Sequence, residues 1–173
     1  MRFVSERALA LHKMHIEEEK VRLALYEKTY PDIVNNGIKG VLRSRYKEKR
    51  EILKMALNIR CHELYFSSFD KHYTMSSSVR STYGTEASFL YEIRKYATKC
   101  DKDFIFIYSD GEKVFLRGDD EVGLLKAFGN VLVIDLKEHS YFLDYGFDRE
   151  EYVRRLLPHL NLSILDKKIS LKD

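Results

Sequence analysis

The chain has 173 residues and a mass of 20.5 kDa, with 30 basic and 27 acidic side chains for a net charge of +3. A chain this long buries roughly 70% of its unfolded surface on folding, so it needs no disulfide framework; Cys61 and Cys100 are too isolated to form one or to make a structural zinc cluster. The near-balanced charge selects neither nucleic acid nor membrane as a partner, there is no uncharged apolar run of about 18 residues, and the N-terminus lacks an apolar core followed by a small-residue cleavage site, so a cytoplasmic protein is expected.

From Ser5 to about Tyr30 there is neither Gly nor Pro, Ser5 offers an N-cap hydroxyl with an acidic residue behind it, and Pro31 marks a stop; this predicts a long first helix. "NNG" at 35–37 predicts a turn. From Ile38 onward Gly40 is the last glycine before Gly84, and Ile52, Met55, Ile59, Phe66 and Phe69 recur at helical spacing, which predicts a second long helix to about Tyr73. Two long helices joined by a short turn make an antiparallel hairpin. "RSRYKEKR" (43–50), the one dense basic run, reads as a solvated helix face with Glu48 interleaved. The Ser- and Thr-rich "TMSSSVRSTYGT" (74–85) reads as a linker.

Beyond it the pattern changes. "EASFLYEIRKYATKC" predicts a third helix, and "DFIFIYSDGEKVFLRGDD" predicts a β-hairpin turning at Asp110-Gly111. "NVLVIDL" predicts a third strand, apolar enough for the middle of a sheet, and "DREEYVRRLLPHLN" a closing helix. The expected fold class is α+β: an N-terminal antiparallel helical hairpin over 1–75, then a domain over 84–173 with a small three-stranded antiparallel sheet.

Among the histidines, His12, His15, His62, His72, His139 and His159, context separates a few. His62 shares a stripe with Met55, Ile59, Phe66 and Phe69, apolar surroundings in which an imidazole needs a partner, and His12 shares a face with Ala8, Leu9 and Ile16. In "VIDLKEHSYFLDY" (133–145), Asp135, Glu138 and His139 fall together where strand gives way to helix. Because His139 follows Asp135 by four, their side chains converge if a helix starts soon after the strand. Three imidazoles and one carboxylate form a mixed nitrogen and oxygen set suited to Mn or Fe, with zinc chemically possible.

"VLVIDLKEHSYFLDYGFDREEYVRRLLPHLN" resembles the C-terminal signature of the iron/manganese superoxide dismutases, Asp-x-Trp-Glu-His-Ala-Tyr followed by an Asp-Tyr and a Tyr-Val or Tyr-Leu helix. "FIFIYSDGEKV" resembles the family's Trp-x-Trp-Leu strand and hairpin with Phe in place of Trp, and "STYGTEASFLYEI" its Phe-Gly-Ser helix start. "NIRCHELYF" is similar to the Asn-His-x-x-Phe-Trp stretch that carries the second ligand, and "VSERALALHK" to the Ile-Ser-x-x-Thr-x-x-x-His stretch that carries the first. The resemblance implies that His12, His62, Asp135 and His139 bind one Mn or Fe per subunit and that superoxide is dismuted there to dioxygen and hydrogen peroxide. It also implies a homodimer, in which Glu138 reaches across the two-fold interface to the partner's last ligand histidine. A second register, with "KTY" (28–30) on the family's active-site tyrosine, puts Arg22 at the first ligand position instead of His12.

Departures from the family pattern surround the ligand set. Lys20 stands at the gateway tyrosine, Ile16 at the gateway histidine, Phe142 at a second tyrosine, and Lys137 at the tryptophan inside the signature. A lysine there must reach water or find a partner. Asn58, one turn before His62, could supply the amide that bonds the metal's solvent ligand from the iron-type position, while Cys100 falls near the manganese-type position. Lys20, Asn58 and Lys137 are thus the expected catalytic surroundings. The alternative is a binding or structural subunit that keeps the dismutase fold, with altered catalysis or without metal, and uses 43–50 as its contact.

Overall fold

The computed structural model describes residues 3–30, 49–69, 75–119 and 130–167. The expected turn at 35–37, the start of the second helix and most of the basic run 43–50 lie outside the described residues.

Ser5 begins the first helix, α1 (Glu6–Thr29): its hydroxyl accepts from Ala8 N at 3.1 Å, satisfying one of the N–H groups that a helix start leaves open. Only Ala8, His12 and Ile16 are buried on α1, so it lies on the molecule along one narrow stripe. The second helix, α2 (Lys49–Ser67), runs antiparallel to it: His12 faces His62, Glu19 bonds Asn58, and Leu23 and Tyr26 pack on Ile52. The helix stops short of Tyr73, because the next residues pair elsewhere. Ser68 Oγ donates to Leu64 O and accepts from Val133 N, and Phe69 makes a β-bridge with Leu160.

The stretch expected to be a linker contains a short helix, α3 (Ser77–Tyr83). Its serines serve as caps: Ser76 Oγ accepts from Val79 N, and Asp166 Oδ1 accepts from Ser76 Oγ, Ser77 N and Ser77 Oγ at 2.7–2.9 Å. With Val79 fully buried, the segment is fixed to the core. Gly84, at φ +75°, takes the left-handed turn that ends α3, and Thr85 caps the next helix, α4 (Glu86–Lys99), which buries Phe89, Ile93 and Ala97.

Strands β1 (Phe104–Ser109) and β2 (Val114–Asp119) form the expected hairpin, and β3 (Val131–Asp135) pairs antiparallel with β1. The order is β2-β1-β3, so β1 is central and β3 lies at one side, not mid-sheet as its apolar run suggested. Every residue of β3 is nevertheless buried, because α2 and the final 3-10 turn (Leu162–Asp166) pack against it. An all-apolar strand reports covered faces, not lateral position. A 3-10 turn (Glu138–Ser140), α5 (Phe142–Tyr145) and α6 (Arg149–Leu156) follow. One continuous core joins Leu64 and Tyr65 of α2 to Phe89, Ile107, Leu132, Tyr152 and Leu156. No described helix is long and apolar enough to cross a membrane.

Candidate metal centre

Three segments far apart in the chain meet at the end of β3. Register places Asp135 opposite Phe104, the first residue of β1, with its side chain fully buried. The 3-10 turn that follows brings His139 back toward it, α2 presents His62 from its buried face, and α1 presents His12 from its narrow stripe. Backbone bonds hold the strand end: Lys137 N donates to Asp135 Oδ1 at 2.8 Å, and Tyr152 OH donates to Asp135 O at 3.0 Å. The start of α1 is seated by Ser5 N donating to Asp144 Oδ2 at 2.6 Å and by Tyr145 OH donating to Phe3 O.

The four side chains converge on one point. Asp135 Oδ2 lies 3.2 Å from His12 Nε2, 3.2 Å from His62 Nε2 and 3.5 Å from His139 Nε2, and the last two nitrogens are 3.1 Å apart. One ligand atom from each of His12, His62, Asp135 and His139 falls within 4.8 Å of all the others, the one such group among the described residues. Nitrogen and oxygen ligands about 2.0–2.2 Å from a cation stand about 3.0–3.6 Å apart around it, a range that holds the three spacings to Asp135 Oδ2 and the one between His62 and His139.

Two further observations point the same way. His62 Nδ1 lies 2.7 Å from Asn58 O, and since a carbonyl only accepts, Nδ1 carries the proton and, in the neutral ring, Nε2 directs a lone pair at the common point. His12 Nε2 and Asp135 Oδ2 are buried yet have no hydrogen bond of good geometry. Buried polar atoms are almost always satisfied, and two orphans facing one another are what a bound cation would explain.

Electrostatics favour the metal-ready protonation states. Burial pushes the His12 imidazole below its ordinary value against the pull of Asp135. Burial alone would push Asp135 up, but the three imidazoles pressed against it outweigh this and hold its carboxyl well below the usual range. Burial pushes the phenols of Tyr65 and Tyr152 up, so both remain hydroxyls; they are 3.1 Å apart. Tyr65 and Phe66 flank the His12 ring, and Phe104 meets the His62 ring edge-on, so aromatic side chains wall the protein side of the cluster. His139, with a third of its side chain exposed, marks the open side.

The other sequence candidates are placed around this point. Lys137 answers the question its position raised: Nζ donates to Asn58 Oδ1 at 2.6 Å, lies 3.6 Å from Asp103 Oδ2 and sits 4.8 Å from the centroid of the Phe104 ring. Asn58 is anchored at both ends of its amide, since Nδ2 donates to Glu19 Oε2 at 2.5 Å. Lys20 directs its ammonium to Glu17 Oε1 at 2.9 Å on the surface of α1. Arg22 is exposed on α1, nearly three turns beyond the buried His12. Cys100 packs under Gly118 at the junction of α4 and β2, in the wall of a surface pocket with Lys95 and Tyr96. Glu138 is exposed beside His139, next to the exposed Phe142, Leu143 and Phe147.

Sequence reasoning missed His15 and Glu19. His15 rests against His139 with ring centroids 4.7 Å apart, on the open side of the cluster, and its Nε2 lies 4.0 Å from Glu19 Oε1. Burial, together with the neighbouring His139, pushes its pKa down. The available signal was the i, i+3 spacing of His15 from His12, which places both on the face turned to α2.

No curated protein sequence matches the chain. Residues 71–168, more than half of the 173, match the family described as iron/manganese superoxide dismutases, C-terminal domain. That region supplies Asp135 and His139 and contains the whole three-stranded sheet, and the helices before it complete the cluster. The chain belongs to the iron/manganese superoxide dismutase family.

Proposed function

We propose that the protein is a superoxide dismutase with one Mn or Fe held by His12, His62, Asp135 and His139. The observation that carries this reading is the convergence of four ligand atoms, two of which, on His12 and Asp135, are buried and unsatisfied. Held by His12, His62, Asp135 and His139, such an ion would supply one-electron redox chemistry for superoxide, with protons drawn from solvent. The chain's own residues do the rest. Asn58 O holds the proton of His62 at Nδ1 and so fixes the tautomer, and the backbone N–H of Lys137 orients Asp135. Tyr65, Phe66 and Phe104 exclude water behind the imidazoles, which strengthens electrostatic interactions inside the site. His15 lines the remaining approach beside His139, and the Lys137 ammonium adds positive charge near an anionic substrate's path.

The division into a helical hairpin (1–75) and an α+β unit (84–173), a cytoplasmic location and a homodimer belong to the same proposal. Glu138 and the exposed Phe142, Leu143 and Phe147 follow one another closely in the chain beside His139, and exposed apolar side chains of this kind suit contact with a second copy. Glu138→Ala is expected to weaken self-association at least tenfold in sedimentation velocity, the order of effect of losing one charge-assisted hydrogen bond of about 1.5–3 kcal/mol; an unchanged monomer–dimer equilibrium would remove Glu138 from the interface.

Elemental analysis of the purified protein, paired with a superoxide-dismutation assay, tests the main reading. Stoichiometric Mn or Fe with dismutation supports it, and absence of both metals after expression in supplemented medium would sink it. Lys137, tied to Asn58 where the family has a tryptophan, favours a second reading, a dismutase-fold binding subunit with altered redox tuning. Stoichiometric metal without dismutation is its expected result.

A further inference from the structure

Lys137, Asn58 and Glu19 come from three segments, and each segment carries cluster residues: the strand end carries Asp135 and His139, α2 carries His62, and α1 carries His12. Lys137 Nζ donates to Asn58 Oδ1 at 2.6 Å, and Asn58 Nδ2 donates to Glu19 Oε2 at 2.5 Å. The identity of the two amide atoms follows from the partners, since an ammonium only donates and a carboxylate only accepts. Both end residues are largely shielded, with 17% of the Lys137 side chain and 18% of the Glu19 side chain exposed, and Asn58 is buried. Bonds of this kind, charged at one partner and partly desolvated, are the strong ones.

The two ends of the chain act on cluster residues. The backbone carbonyl of Asn58 accepts the Nδ1 proton of His62, so a shift of the α2 backbone at residue 58 reorients that imidazole. Lys137 N donates to Asp135 Oδ1, so a shift of residue 137 reorients that carboxylate. A tryptophan at 137 would pack on Phe104 but could not supply an ammonium to Asn58. We propose that Lys137, Asn58 and Glu19 form a polar strap that positions the His62 imidazole and the Asp135 carboxylate, coupling α1, α2 and the end of β3 at the centre. The consequence for metal affinity rests on the reading of the cluster as a metal site; the positioning itself does not.

If the strap operates, Lys137→Met, which keeps an unbranched stem over Phe104 and removes the ammonium, and Glu19→Ala each weaken Mn(II) binding to the full-length protein about 10–100-fold, as loss of an orienting partner does. Isothermal titration calorimetry reads this. Lys137→Arg and Glu19→Gln keep a donor and an acceptor for Asn58 and are expected to restore binding to within about threefold of the unsubstituted protein, a rescue that simple space-filling would not reproduce in both. Because both ends act through Asn58, the Lys137→Met/Glu19→Ala double variant loses less than the product of the two single losses. A second readout needs no metal: the His62 Nδ1 proton, observed by NMR in the apo protein, is expected to exchange with solvent at least tenfold faster in Lys137→Met and Glu19→Ala. Unchanged Mn(II) affinity in both variants, or multiplicative losses in the double variant, overturns the strap. Should the unsubstituted protein bind neither Mn(II) nor Fe(II), the metal reading fails by itself and the strap is decided by the His62 proton, whose unchanged exchange overturns it.

Discussion

Replacing His12 with alanine is expected to lower bound Mn or Fe by more than about tenfold, the minimum for loss of a ligand when loss of an orienting partner alone reaches 10–100-fold. Elemental analysis after expression in metal-supplemented medium measures it, with circular dichroism to verify that the helices persist. The reason is geometric. His12 Nε2 is one of three buried side-chain atoms left without a hydrogen bond among the described residues, with Asp135 Oδ2 and Ser140 Oγ, and it stands 3.2 Å from Asp135 Oδ2. Its ring is confined between Tyr65 and Phe66. Arg22→Ala is the control. Arg22 is exposed, and metal content should not change. The opposite pattern, loss with Arg22→Ala and none with His12→Ala, would restore the alternative register of the first helix.

Tyr152→Phe should lower stability by about 2 kcal/mol in urea unfolding, the cost of stranding a buried hydrogen-bond partner. Tyr152 is fully buried, and its hydroxyl donates to Asp135 O. That single proton is then committed, so in the 3.1 Å contact between the two phenols Tyr65 is the donor. Removing the Tyr152 oxygen therefore leaves both the Tyr65 hydroxyl and the Asp135 carbonyl without their partner in the dry interior. The Tyr65→Phe/Tyr152→Phe double variant is expected to lose less than the sum of the two single changes, because the second substitution also removes the stranded Tyr65 hydroxyl. Tyr152→Ala, which adds a large cavity beside Tyr141 and Phe3, should cost about 3–5 kcal/mol. Equal stability of Tyr152→Phe and the unsubstituted protein would mean that water replaces the hydroxyl, and this interior would not be dry.

The sequence carried the features that repeat with local geometry. Helical spacing put His12 with Ala8 and Ile16, which are buried, and His62 on an apolar stripe of which Ile59 and His62 are buried while Met55, Phe66 and Phe69 are partly so. Asp135 and His139, four apart, needed only a turn after the strand to meet. The misses share a different origin. His15 and Glu19 looked like ordinary polar positions on a charged helix, because nothing within α1 shows that Asn58 and His139 lie across from them. Lys137 looked out of place for the same reason: the groups that accept its charge, Asn58 and Asp103, are remote in sequence. The serines of 76–78 suggested a linker, since hydroxyl groups favour caps and loops alike, and the deciding partner of Ser76, Asp166, is 90 residues away. The stop of α2 at Ser67 likewise depends on Val133 and Leu160.

The ordering of α1, α2 and the end of β3 around one point also bears on when a cation can be captured. His12, His62 and Asp135 are separated by long stretches of chain, and the helix pair and the strand end must both have docked before their ligand atoms share a centre. Contacts of such long sequence separation form late and slowly. A nascent or partly folded chain therefore holds at most the local pair Asp135 and His139, which binds any divalent ion weakly and reversibly. On the proposed reading, tight loading awaits completed tertiary structure, so the rate of metal uptake should follow the rate of folding rather than the concentration of metal once that is in excess.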